Sequence, residues 1–152
     1  MQLLVQFYTT NQPPISTKSL EVLLLLSSVR RSLFTTDAER RRFLAQLLTA
    51  MRAILRERTG LSDSDNYHIF CRMLGRLKSN YQLSEMVKTE GYPEWIQLTA
   101  DFTIQSFGNW QWSQNSVHYL LALWARLVAA IPYFKPSPST VAGGKNDSML
   151  SV

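Results

Sequence analysis

The stretch DAERRRFLAQLLTAMRAILRER, residues 37–58, decides the fold. Phe43, Leu44, Leu47, Leu48, Met51, Ile54 and Leu55 recur at i, i+1, i+4, i+5, i+8, i+11 and i+12, the spacing of one apolar stripe on an α-helix. Thr36 and Glu39 stand three apart at its start. A capping box needs this spacing: the hydroxyl takes an orphan amide and the carboxylate reaches back to the cap residue. Gly60 follows the last periodic residue, where a left-handed C-terminal cap is expected.

Other helices follow from the same rule. Residues 115–131 repeat the stripe with Val117, Leu120, Leu121, Trp124, Leu127, Val128 and Ile131. A short apolar piece (Leu3, Leu4, Phe7, Tyr8) breaks at Asn11-Gln12-Pro13-Pro14. Ser16 or Thr17 can cap a helix that carries Leu20, Leu23 and Leu24 toward Phe34. Asp63 and its neighbours cap one with Tyr67, Phe70, Cys71, Leu74, Leu77 and Tyr81 on a single face. Gly91-Tyr92-Pro93 opens another, holding Trp95, Ile96, Leu98, Phe102 and Phe107, with Pro93 suited to a first turn. Trp110 and Trp112 fall on an expected turn from Gly108 to Gln114, folded back over the helix ends. No segment alternates with period two, so the expectation is all-α, five or six helices and no sheet.

Short turns between single-striped helices predict antiparallel neighbours. Candidate caps at Ser16, Asp63 and Ser113 lie 47 and 50 residues apart, near the roughly 40–47 residues of HEAT-type repeats. Periodicity alone leaves a HEAT-like array and an ordinary bundle both open. From Pro136 the chain turns to Pro, Ser and Gly, too poor in apolar side chains to offset the entropy of ordering. The expected organisation is a helical repeat segment over 1–135 and a disordered Ser/Gly/Pro-rich tail over 136–152.

A single cysteine, Cys71, excludes an internal disulfide and gives no zinc framework. The longest apolar run, Tyr119 to Ala125, is far short of the roughly 20 residues of a membrane span. Residues 1–8 carry no Lys or Arg, so no signal segment is read there, and the chain is read as soluble and intracellular. The net charge of +5 is concentrated. Residues 30–58 hold eight arginines against Asp37, Glu39 and Glu57, and elsewhere basic and acidic side chains cancel. Arg41, Arg52 and Arg56 share a flank outside the apolar stripe, with Arg42 at its edge. These four form a candidate partner-binding face for an acidic protein or a phosphate backbone; the plain alternative is a solvated helix face.

No catalytic constellation accompanies the helices. His68 and Cys71 could meet on one helix surface as a nucleophile pair. However, Cys71 sits in the apolar stripe, and no third group is present to orient the histidine. His118 stands 50 positions away, without the i, i+4 partner of a metal pair. The glycines form no phosphate-cradling loop. The chain is read as a binding protein rather than an enzyme, with no cofactor and no metal. A basic helical nucleic-acid-binding or general protein-interaction domain is the alternative. Aromatics are not interleaved with the arginines, which counts against single-stranded nucleic acid.

Three strings carry a resemblance: residues 27–34 (SSVRRSLF), 66–83 (NYHIFCRMLGRLKSNYQL) and 115–124 (NSVHYLLALW). Through them, and from about Leu3 to Lys135, the chain resembles the exportin-7 and Ran-binding protein 16/17 family of nuclear export receptors, in the importin-β superfamily. The resemblance implies a HEAT-repeat α-solenoid. It also implies a receptor that performs no chemistry and carries protein cargo from nucleus to cytoplasm with a Ran-type GTPase. Nuclear pore proteins are further implied partners, and shuttling between nucleus and cytoplasm the implied location. The resembling region is an internal fragment of a receptor several times longer, without the first repeats that hold the main GTPase contact.

Overall fold

The computed structural model describes residues 1–133, so the expected tail over 136–152 lies outside the described residues. Among the described residues there are seven α-helices and no strand. They are α1 (Gln2–Thr9), α2 (Ile15–Ser27), α3 (Asp37–Glu57), α4 (Ser64–Asn80), the single turn α5 (Leu83–Met86), α6 (Tyr92–Gly108) and α7 (Trp110–Ala130). Short 3-10 turns at Arg31–Leu33 and Ile131–Tyr133 complete the order.

Local sequence explains most boundaries. Thr36 accepts from the Glu39 amide at 3.1 Å while Glu39 Oε2 accepts from the Thr36 amide at 3.3 Å, so the capping box forms at α3. Asp63 Oδ1 accepts from the amides of Asp65 and Asn66, both at 3.0 Å, and starts α4. Gly91, at φ 82°, precedes α6, a backbone region that side chains with a Cβ rarely adopt.

Four boundaries differ from the sequence reading. The left-handed cap of α3 is Arg58, at φ 53°, and Gly60 takes its own positive φ two residues later in the turn. Ser16 is not a cap: α2 begins at Ile15, and Ser16 is buried in its first turn. The same helix stops at Ser27 rather than running toward Phe34, because the Asn80 side-chain amide donates to the carbonyls of Ser27 (3.2 Å) and Val29 (2.6 Å) and satisfies its end. Finally, α7 begins at Trp110 instead of Asn115. The break from α6 is confined to Gly108 and Asn109, and Ser113 Oγ donates back to the Ser106 carbonyl at 3.1 Å. Trp110 and Trp112 therefore sit in the first turn of a helix, both about half exposed.

The helices pair as antiparallel neighbours: α1 with α2, α3 with α4, α6 with α7. Arg40 at the start of α3 meets Asn80 at the end of α4, and Thr103 of α6 accepts from Trp124 of α7. The pairs then stack on one another. First helices run parallel but staggered, with Arg52 and Arg56 near the end of α3 on Glu94 in the first turn of α6, and Arg58 reaching Gln105 further along it. Second helices also run parallel: Thr17 of α2 donates to Asn66 of α4 at 2.9 Å, and His68 of α4 meets Ser116 of α7 at 3.0 Å. One layer is thus α1, α3 and α6, the other α2, α4 and α7, as in a HEAT-like solenoid where each unit packs on its neighbours.

Leu44, Leu47, Leu48, Met51, Ile54 and Leu55 of the α3 stripe are all buried, and Phe43 is half-buried. At about 1.5–3 kcal/mol per side chain, this stripe contributes roughly 10–20 kcal/mol before the entropy of ordering is subtracted. The α4 stripe is buried throughout. In α7 only part of the stripe turns inward. Leu120 and Leu127 are buried, together with Leu123, whereas Leu121, Val128 and Ile131 face solvent, as do Leu3 and Phe7 of α1. These exposed faces lie on the first and last units of the stack.

Candidate partner-binding surface

The four arginines singled out on α3 have two different fates. Arg52 Nη1 donates to Glu94 Oε2 at 3.0 Å, and Arg56 Nε donates to Glu94 Oε1 at 2.6 Å, with a second Arg56 nitrogen on the other oxygen. Arg52 and Arg56 are therefore bound within the fold, tying α3 to α6. The hydrogen bonds from Arg56 and then Arg52 push the Glu94 carboxyl down to about 2. Arg41 and Arg42 are exposed and have no ion-pair partner among the described residues.

The neighbouring Arg40 behaves differently again. It is 5% exposed. Its Nε donates to Glu85 Oε1 at 3.0 Å, its Nη2 donates to the Asn80 carbonyl at 2.8 Å, and its guanidinium lies 4.2 Å from the Tyr81 ring centre. Glu85 also accepts from the Gln82 amide at 2.8 Å, so one carboxylate both starts α5 and pairs with Arg40. The sequence reading passed over Arg40, although a signal was present: it stands four and seven residues before Leu44 and Leu47, in register with the apolar stripe.

Groups capable of chemistry are placed for packing. Cys71 is fully buried, and burial pushes its thiol up to about 12, the reverse of what an attacking thiolate needs. His68 is engaged with Ser116 and packs edge-on against Tyr119. His118 is exposed on α7, beside the other side of the Tyr119 ring. Among the described residues no three His, Cys, Asp or Glu side chains converge as metal ligands. A cleft of about 570 Å³ opens where the α3–α4 turn meets the α6–α7 turn, lined by Arg58, Tyr67, Phe102, Gln105 and Trp112 among others. Burial raises the Tyr67 hydroxyl of this cleft to about 12, so it exchanges no proton near neutrality. Trp112 packs on Tyr67 with ring centres 4.7 Å apart, which makes it a wall of this cleft. No described helix is long and apolar enough to cross a membrane.

Comparison with known proteins gives one consistent result. The chain is 51% identical to Exportin-7-A of Xenopus laevis over 135 residues, which is 89% of this chain and 12% of that protein. It is 48% identical to Ran-binding protein 16 of Drosophila melanogaster over 139 residues, 91% of this chain and 13% of the relative. Ran-binding protein 17 of Homo sapiens is 47% identical over 135 residues, 89% of this chain and 12% of its own length. No protein-family model matches the chain, and no solved structure gives a significant match. The chain spans about an eighth of the length of these curated relatives.

Proposed function

Because the chain belongs with exportin-7 and Ran-binding proteins 16 and 17, we propose that it serves as a segment of a nuclear export receptor. In this reading it is a scaffold within a longer array that carries protein cargo from nucleus to cytoplasm with a Ran-type GTPase. The array would pass the pore by contact with nuclear pore proteins and shuttle between the two compartments. The observation that carries the reading is the stacking of helix pairs in two parallel layers on a sequence half identical to such receptors. Nothing in it calls for catalysis: the thiol is buried and the cleft lacks an acid–base pair.

Within this reading Arg41 and Arg42 form the solvent-facing part of the candidate contact face, with Arg52 and Arg56 braced behind them on Glu94. Charges of this kind act on association rate and salt dependence more than on fold. The direct experiment exchanges the matching segment of a full-length relative for this chain. It reads nuclear export of a reporter cargo and retention of the GTPase in its GTP form. The chimera is expected to export. A chimera with full helicity that binds neither cargo nor GTPase overturns the reading. Arg41→Gln with Arg42→Gln in the chimera should slow association at low salt, and an unchanged rate removes that face from the proposal.

A further inference from the structure

Charge pairing in the fold takes up part of the positive charge where the sequence concentrates it, leaving Arg41 and Arg42 exposed there. On α3, Arg40 is bonded to Glu85 and Arg52 and Arg56 to Glu94, while Arg31 just before it pairs with Asp37 at 3.0 Å. In the second layer Lys18 of α2 pairs with Glu21, but α4 and α7 have no such compensation among the described residues. Helices α4 and α7 carry Arg72, Arg76, Lys78 and Arg126 against the single acid Asp65, which lies two turns before Arg72. None of these four cations has an ion-pair partner among the described residues.

The two helices run parallel and side by side, which gathers these charges. Arg72 and Arg76 stand four apart and so share a face of α4, their Cβ atoms about 6 Å apart. Arg126 of α7 reaches across to the Ser79 hydroxyl, one turn beyond Arg76. Lys78 donates to the Tyr81 carbonyl at 3.3 Å, and burial, followed by the nearby Arg126 charge, holds its ammonium below the ordinary range. The negative end of the α4 dipole and that carbonyl account for Lys78. They leave Arg72, Arg76 and Arg126 as cations of two adjacent helices without an ion-pair partner among the described residues.

We propose that Arg72, Arg76 and Arg126 form a docking surface for an acidic segment of a partner protein, one that presents carboxylates about one helical turn apart. This deepens the receptor reading and rests on it for the partner's being a protein. Charge complementarity sets the sign of the occupant, and the size of the patch sets its class. Three cations within two turns match two or three carboxylates, whereas nucleic-acid contacts commonly neutralise about 6–10 phosphates along a longer track.

The test uses the full chain and a fluorescein-labelled helical peptide with glutamates spaced four apart, followed by fluorescence anisotropy at 50 mM and 500 mM NaCl. Arg72→Gln with Arg76→Gln should weaken binding roughly three- to tenfold at low salt, and Arg126→Gln alone should weaken it less. A charge-matched control, Arg31→Gln with Lys88→Gln, alters exposed positions off α4 and α7 and should stay within about twofold. Far-UV circular dichroism checks that each variant keeps its helicity. Equal losses in variant and control, or no peptide binding by the parent chain, overturn the proposal. So does displacement of the peptide by an equal concentration of oligothymidylate, which would make the patch a nucleic-acid surface. A segment that binds the peptide through these arginines but fails in the export chimera leaves this inference standing while the receptor reading falls.

Discussion

Replacing Arg40 by Ala should destabilise this chain far more than replacing either of the arginines that follow it. The substitution removes the bond to Glu85 at 3.0 Å, the bond to the Asn80 carbonyl at 2.8 Å and the stacking on Tyr81 at 4.2 Å. Breaking a buried ion pair from one side costs about 3–5 kcal/mol, because the remaining charge is left without its partner. Two features of the site place the value at the low end. The Glu85 side chain keeps 27% of its exposure and can be rehydrated. In addition, Arg40 Nη1 has no protein partner among the described residues, so the parent pair is not fully satisfied. The expected loss is about 3 kcal/mol, against about 0.5 kcal/mol or less for Arg41→Ala or Arg42→Ala. Urea unfolding at one protein concentration, followed by tryptophan fluorescence and far-UV circular dichroism, measures it. With a urea slope of about 2 kcal/mol/M, the midpoint should fall by roughly 1.5 M. Arg40→Lys keeps the charge but loses the planar fork, and should fall between the two. The difference should persist in 0.5 M NaCl, since burial shields the pair from screening. If Arg40→Ala unfolds within about 0.5 kcal/mol of Arg41→Ala, the buried pair does not hold α3 to the α4–α5 junction as argued.

Three further outcomes are expected. Gly91→Ala should cost about 1–2 kcal/mol, because φ is 82° there and an added Cβ would overlap the Arg52 guanidinium and push it off Glu94; equilibrium unfolding measures this. Cys71 should resist a disulfide reagent at pH 8 in the folded chain and react at once in denaturant, because its thiol is fully buried and raised to about 12; rapid labelling of the native chain would contradict this. The Glu94 carboxyl should titrate near 2 by nuclear magnetic resonance rather than near the ordinary value of about 4.3. Since its folded value is depressed, the Arg52 and Arg56 pairs help stability in full above about pH 4.3, and that help is lost as pH falls toward 2. Glu94→Gln should abolish this part of the acid dependence.

The sequence by itself determined six of the seven helices, missing only the single turn α5, because what makes those six is local. The Leu44 to Leu55 stripe, the Thr36–Glu39 box and the Asp63 cap depend on residues within a few turns of one another, and each forms as read. The misread ends have local competitors or distant partners. Arg58 took the left-handed turn ahead of Gly60, and the end of α2 was set by Asn80, more than 50 residues on. The candidate site was less legible. Counting charge along the chain puts the excess on residues 30–58, but charge is neutralised in space. Glu85 and Glu94 lie 38 to 45 residues from the arginines they bind and reach them only because α5 and α6 stack beside α3. Arg40, Arg41 and Arg42 are identical and adjacent in sequence, yet the helix turns one into the core and two toward solvent. The lateral order of the helices decided which cations are bound and which are free. That order comes from packing between stripes, and no single stripe encodes its neighbour.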